Sequence, residues 1–301
     1  MRQMNTRQAT KWIIITLFIF LVMYACSPAN QLPPTTLPNN LSQTSAPTST
    51  SAPPTQTLTV TPLTCLTQPG YIEPGKLEST NPPQEYLIYL PPCYDQKKEE
   101  SYPVLYLLHG QTYTQDQWIR LGAVDIIDDL ILSGESVPFI AVFPDDRYWN
   151  LPPGPGFGQR LIENLIPYID GEYRTLDDRE QRAIGGLSRG AGWALRLGLT
   201  QWDLFGSIGL HSPAVLQKDA SQIDNWLADI PASLQPRVFM DIGDNDPELS
   251  MAVNIESQFN EFGLIHEWHL YSGAHTEDYW SAHVEEYILW YAAEWNKTLA
   301  Q

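Results

Sequence analysis

From about residue 65 to the C-terminus, short apolar runs alternate with stretches of helical period, and this alternation limits the architectures open to the chain. Runs suited to strands are Tyr86–Leu90, Val104–Leu108, Phe139–Phe143, Arg182–Gly185, Ser207–Leu210, Val238–Ile242 and Glu267–Tyr271. Several are apolar almost throughout, as strands covered on both faces must be. Between them, Ala123–Leu132 repeats its apolar residues (Ala123, Ile126, Ile127, Leu130, Ile131) at spacings of three and four, the signature of one buried helix face. Phe157–Glu172, Gly190–Leu199, Pro247–Phe262 and Asp278–Asn296 also read as helices. Strands alternating with helices predict an α/β fold with a mostly parallel sheet covered by helices on both faces. No internal repeat or Gly/Pro linker interrupts the region, so residues 65–301 are expected to form one domain.

The residues before it have a different character. Residues 1–11 are polar and basic, and residues 12–25 (WIIITLFIFLVMYA) carry no charge. As a helix this run rises about 21 Å, short of a bilayer core of about 30 Å, so it reads as a secretory signal peptide. Met23-Tyr24-Ala25-Cys26 follows and resembles a bacterial lipobox, in which Cys26 becomes the lipidated N-terminus of a protein exported to the outer face of the cell membrane. Residues 27–64 hold eight prolines and fifteen Ser or Thr and no charge, so they lack the apolar surface to fold and read as a disordered stalk.

Charge and cysteine content exclude several roles. The formal charge is −18, and three of the 17 basic residues (Arg2, Arg7, Lys11) precede the apolar run. A polyanionic partner would meet repulsion, so nucleic-acid binding is not expected. Three cysteines make neither a disulfide-dense scaffold nor a paired-cysteine zinc site, and no ligand cluster suggests a metal or other cofactor. Export permits disulfides, and Cys65 and Cys93, both near the start of the folded part, are the expected pair.

The chemistry concentrates in Gly186-Leu187-Ser188-Arg189-Gly190, a G-x-S-x-G between an expected strand and an expected helix. Such a nucleophile elbow strains the serine backbone and exposes its hydroxyl, while the glycines let strand and helix approach. The helix start favours developing negative charge. Serine needs a base, and the base a carboxylate, in the chain order Ser, Asp or Glu, His. His275, in the loop after the last expected strand, has the right place for the base. His109 reads as a loop-shaping residue, His211 as one that could line the pocket, and His283 as structural. His266 and His269 lie three apart on a strand, a poor chelate. For the acid, Asp241 at a strand end and Asp244 and Asp246 in the following loop are candidates, and position alone does not choose. An oxyanion hole calls for the backbone N–H of Arg189 and one from His109-Gly110-Gln111, with Gln111 as the donor.

The chain resembles the esterase D-like branch of the α/β-hydrolases, which includes feruloyl and acetyl-xylan esterases, S-formylglutathione hydrolases and mycolyl transferases. The stretches that carry the resemblance include Leu90-Pro91-Pro92, Tyr102-Pro103-Val104 through His109-Gly110, Phe143-Pro144-Asp145, Glu163-Asn164-Leu165-Ile166-Pro167-Tyr168-Ile169-Asp170, Gly185-Gly186-Leu187-Ser188, Gly243-x-x-Asp246 and Gly273-Ala274-His275. The resemblance implies Ser188 as nucleophile, His275 as base and Asp246 as acid, the last because the family's acid is the fourth residue of a G-x-x-D stretch. It departs at Arg189-Gly190-Ala191, where members often carry Met-Gly-Gly. The Arg189 side chain could pair with an acidic group near the pocket or touch a substrate carboxylate, which bears on substrate preference.

The expected activity is serine ester hydrolysis on small or carbohydrate-linked esters outside the cell. Acyl transfer on the same fold, and a non-catalytic glycan-binding surface module, are the alternatives. Trp118, Tyr148, Trp149 and Trp280 lie near the expected mouth; Tyr148 and Trp149, on a Pro- and Gly-rich loop, are the candidates to stack on a sugar or phenolic acyl group, whereas Trp280 and Trp290 suit packing. Mass spectrometry of the mature protein is expected to find a lipid-modified Cys26 at its N-terminus; an unmodified cysteine there would reject the anchor.

Overall fold

In the computed structural model, which describes residues 64–147, 156–216 and 218–297, every expected strand joins one eight-stranded sheet. Residues 1–63, which hold the expected signal peptide, Cys26 and all but the last residue of the expected stalk, lie outside the described residues, as do Tyr148 and Trp149. The strands are β1 (Tyr71–Leu77), β2 (Gln84–Leu90), β3 (Val104–Leu108), β4 (Ile140–Pro144), β5 (Arg182–Leu187), β6 (Ser207–His211), β7 (Arg237–Gly243) and β8 (His266–Tyr271), in the order β1-β2-β4-β3-β5-β6-β7-β8. From β4 through β8 the pairing is parallel; β1 and β2 pair antiparallel with each other, and β2 pairs antiparallel with β4.

The helices are α1 (Gln117–Arg120), α2 (Ala123–Ser133), α3 (Phe157–Arg160), α4 (Ile166–Glu172), α5 (Arg189–Thr200), α6 (Ile223–Asp229), α7 (Leu249–Phe262) and α8 (Glu277–Asn296). Side chains alternate along each strand, so each central strand feeds two cores. Val104, Tyr106 and Leu108 of β3 pack with Leu161, Ile169, Leu195, Leu199, Ile255 and Phe259 on one face. Leu105 and Leu107 pack with Ile127, Leu130, Tyr287, Tyr291 and Trp295 on the other.

Three differences from the sequence expectations have local causes. The segment 157–172 is not one α-helix: a π-turn over Leu161–Leu165 separates α3 from α4, just ahead of Pro167, which has no amide to donate. Strand β1 was not anticipated, because Tyr71–Leu77 is exposed along most of its length, contains Pro74 and Gly75, and is held by pairing with β2 rather than by an apolar pattern. Helix α6 buries only Ile223 and Leu227, too few to mark a period.

The register places the loops that matter. Leu187, His211, Asp241 and His269 stand in one row across β5, β6, β7 and β8. Leu108 of β3 pairs with Gly186 of β5. The loops after β3, β5, β6, β7 and β8 therefore leave from one rim of the sheet. At the other margin of the described residues, a disulfide joins Cys65 to Cys93 and fastens the first described turn to the loop after β2. On the chain-entropy account, closing a loop with a sequence separation of 28 stabilises by about 3–4 kcal/mol. Cys65→Ser is expected to lower the unfolding free energy by about that much in urea titrations, and an unchanged midpoint would show that the bridge contributes nothing.

Candidate active site

The site begins where β5 turns into α5. Ser188, the residue between them, has φ 52° and ψ −115°, a backbone conformation that costs a side-chain-bearing residue about 1–3 kcal/mol. Two glycines let it persist. A Cβ on Gly186 would lie 2.3 Å from the Gly190 carbonyl carbon, and one on Gly190 would lie 2.2 Å from the carbonyl oxygen of Leu108. The first turn of α5 is thus pressed against both its own strand and the end of β3. The Ser188 carbonyl accepts from the amides of Gly192 and Ala214, and its own N–H donates to His211 O at 2.9 Å. Its hydroxyl has no hydrogen-bond partner among the described residues and sits at the head of the helix, half-buried.

The loops after β7 and β8 bring Asp246 and His275 together. His275 Nδ1 lies 2.8 Å from Asp246 Oδ2. A carboxylate only accepts, so Nδ1 carries the proton and Nε2 presents the basic lone pair. Asp246 Oδ1 accepts the Glu248 amide at 2.8 Å. Burial raises the Asp246 carboxyl, but hydrogen bonds from His275, the Glu248 amide and Ser212 outweigh it and hold the pKa below its ordinary value. The carboxylate therefore stays charged to lower pH than a free aspartate. The imidazole stands edge-on to the Trp280 ring at 5.0 Å.

Of the three acids left open by position, the structure brings Asp246 to the imidazole and gives the others different tasks. Asp244 Oδ1 accepts from the Gly273 amide at 3.0 Å, and the amides of Asp244 and Asn245 donate to the carbonyls of Tyr271 and Gly273. These bonds stitch the acid loop to the base loop. Asp241 is buried and accepts from the hydroxyls of Tyr279 and Tyr287. His211 does not line a pocket: it is fully buried, with Nδ1 2.7 Å from Asp241 and Nε2 3.0 Å from the Tyr291 hydroxyl, and its ring stacks on Tyr287. Trp118 is likewise a core residue rather than a rim residue, donating to Leu108 O and packing against His211 and Tyr287. His109 shapes its loop: Nε2 accepts the Asp146 amide and Nδ1 donates to Gly110 O, so neither nitrogen is left for proton transfer.

The loop after β3 is held by a residue that sequence reading missed. Gln117, fully buried in α1, accepts the Gly110 amide at 2.8 Å and donates to Glu277 at 3.3 Å. It ties the Gln111 loop to the first turn of α8, just beyond His275. A glutamine in a single helical turn carries no sequence signal of such a role. The Arg189 side chain pairs with Asp146 at 3.0 Å, one of the two arrangements its sequence position allowed. Trp193 also donates to Asp146, at 2.8 Å. Burial raises the Asp146 pKa above its ordinary value despite these partners.

The profile of a family described as "Putative esterase" matches residues 78–291. An endo-1,4-beta-xylanase/feruloyl esterase of Xylanibacter ruminicola is 36% identical over 146 residues, covering 45% of this chain and 20% of its own length. An esterase of Mycobacterium tuberculosis is 33% identical over 150 residues, covering 46% of this chain and 31% of its own. The match thus spans a third or less of either relative. Among solved structures, a ferulic acid esterase superposes with a TM-score of 0.68 at 26% identity, over 75% of this chain and 100% of that one.

Gln117→Ala removes the acceptor of a buried amide, which costs about 1–3 kcal/mol. Chemical denaturation is expected to show that loss, and hydrogen exchange to show lost protection at Gly110. Unchanged exchange at that amide would mean the loop is held by other contacts.

Proposed function

Because the chain belongs to the family described as "Putative esterase", we propose that it hydrolyses carboxylic esters through a covalent acyl-enzyme on Ser188. The observation that carries the reading is the Asp246–His275 hydrogen bond, at the same rim of the sheet as a serine strained at the head of a helix. In the proposed reaction His275 Nε2 takes the Ser188 proton as Oγ attacks the ester carbonyl. Asp246 holds the imidazole in the productive tautomer and stabilises its cation. The backbone N–H groups of Arg189 and Gln111 face the tetrahedral oxyanion. Support for this pairing is the contact of Gly190 with Leu108 and His109, which sets the start of α5 beside the Gln111 loop. Losing one such donor typically costs about 3–4 kcal/mol of transition-state stabilisation. His275 then protonates the leaving alcohol, and water repeats the sequence to free the acid. In the absence of substrate such hydroxyl–imidazole contacts are often long and tighten on binding.

The substrate reading is narrower. The xylanase/feruloyl esterase and the ferulic acid esterase among the relatives support a hydroxycinnamoyl ester linked to carbohydrate. Tyr148 and Trp149 are the proposed stacking residues for the phenolic ring. The reading of residues 1–25 as a signal peptide ahead of Cys26, and of the charge-free residues 27–64 as a stalk, supports an enzyme tethered outside the cell, within reach of polymeric material. The proposed chemistry draws on side chains and backbone alone.

The test is turnover of nitrophenyl esters of rising chain length, methyl ferulate and acetylated sugars, with and without a competing alcohol acceptor. Hydrolysis of methyl ferulate is expected, and ester products with the alcohol would instead indicate acyl transfer. Ser188→Ala is expected to lower kcat on the order of 10,000-fold while leaving KM nearly unchanged. Near-wild-type turnover in that variant would remove Ser188 from the chemistry.

A further inference from the structure

We propose that Tyr279 is a positioning residue: its ring and its hydroxyl together pin the loop that carries His275 to the strand that leads to Asp246, so that the two side chains keep one mutual geometry. The inference rests on the ester-hydrolysis reading above and adds to it a residue that touches neither substrate nor reacting atoms.

Tyr279 lies in the first turn of α8 and is buried. Its hydroxyl donates to Asp241 Oδ2 at 2.7 Å. Asp241 stands in β7, and the loop after that strand carries Asp246. Burial, with the Asp241 charge beside it, holds the Tyr279 phenol well above its ordinary pKa, so the hydroxyl keeps its proton and remains the donor. The ring meets the His275 loop at the same time. A Cβ on Gly273 would lie 2.5 Å from Tyr279 Cδ2, so the ring fills the space that a side chain there would take. The start of α8 closes onto the same loop: Thr276 Oγ1 accepts the Tyr279 amide at 3.3 Å, and the Thr276 amide donates to Ala274 O at 2.8 Å.

Gly273 is the point where the two loops meet. Its carbonyl accepts the Asn245 amide at 2.8 Å, and its amide donates to Asp244 Oδ1 at 3.0 Å. A Cβ on Gly243, the last residue of β7, would lie 2.4 Å from the same carbonyl oxygen. The end of β7 and the Tyr279 ring thus both bear on one glycine of the His275 loop, and the Tyr279 hydroxyl returns to β7. Strand, acid loop, base loop and helix form a closed circuit, and the 2.8 Å contact of His275 Nδ1 with Asp246 Oδ2 spans it. Hydrogen bonds weaken steeply as they lose alignment, so slack anywhere in the circuit acts on that contact.

The competing explanation is that the Tyr279 hydroxyl only satisfies a buried carboxylate. Tyr287 supplies the control. Its hydroxyl also donates to Asp241 Oδ2 at 2.7 Å, but its ring packs on His211 and Trp118 in the core, about two turns further along α8. Tyr279→Phe and Tyr287→Phe each keep the ring and remove one bond to the same carboxylate oxygen. If Tyr279 positions the base, Tyr279→Phe lowers kcat for a nitrophenyl ester about tenfold with KM within about twofold, whereas Tyr287→Phe leaves kcat within about twofold of wild type. In an Asp246→Asn background Tyr279→Phe adds little, because its effect passes through the Asp246–His275 contact; the rate of Ser188 labelling by a fluorophosphonate reads the residual reactivity. Gly273→Ala, whose methyl group displaces the ring, is expected to lower kcat in the same way and serves if Tyr279→Phe does not fold. Wild-type kcat in folded Tyr279→Phe or Gly273→Ala would overturn the proposal, as would an equal loss in Tyr287→Phe or an undiminished effect in the Asp246→Asn background. A wild-type protein without esterase turnover, or an active Ser188→Ala, would instead overturn the underlying reading.

Discussion

The site depends on a close approach of backbone to backbone. Gly190 lies so near the end of β3 that any side chain there would collide with the Leu108 carbonyl, and Gly186 lies equally close to the first turn of α5. Strand, helix and neighbouring strand are thereby locked, and Ser188, caught between them, is forced into a left-handed backbone. The same contact puts the amide at the start of α5 next to the loop after β3. The position of Ser188 and the closeness of the start of α5 to the loop after β3 are thus consequences of two missing Cβ atoms.

Around that point the carboxylates take different hydrogen-bond partners. Asp246 and His275 face each other, while the neighbouring acids are engaged elsewhere: Asp244 in joining two loops, Asp241 in a buried cluster with His211 and two tyrosines, Asp146 with Arg189 and Trp193. Four carboxylates lie close in sequence or space, and their partners separate their roles. Three donors depress the Asp246 pKa despite burial, whereas burial prevails at Asp146. The outcome is one carboxylate held charged beside the imidazole and another whose charge is costly and offset by a guanidinium.

Much of this is legible in the sequence. The strands from Val104 to Tyr271 announce themselves because burial on both faces demands unbroken apolar runs, and the elbow because glycines are required on either side of a strained serine. His275 follows from chain order. Strand β1 was not legible, since an exposed edge strand needs only a partner and not a pattern. Gln117 was not legible either. A buried polar residue is defined by what surrounds it, and Gly110 and Glu277 reach it from distant parts of the chain. The reading of His211 and Trp118 as pocket residues failed for the same reason: a side chain at a strand end or in a helical turn can point into the core as readily as out of it.

Periodicity and glycine spacing, which act over a few residues, determined the layered α/β architecture, the position of the strained serine and the order of the groups that follow it. Which aspartate meets the imidazole, how Gln117 reaches the Gly110 amide and where Arg189 finds its counter-charge were settled only when the strands took their register. Those outcomes depend on separations of a few ångströms between residues far apart in the chain, and hydrogen bonds and ion pairs are sensitive to distance and direction in a way that local sequence does not encode.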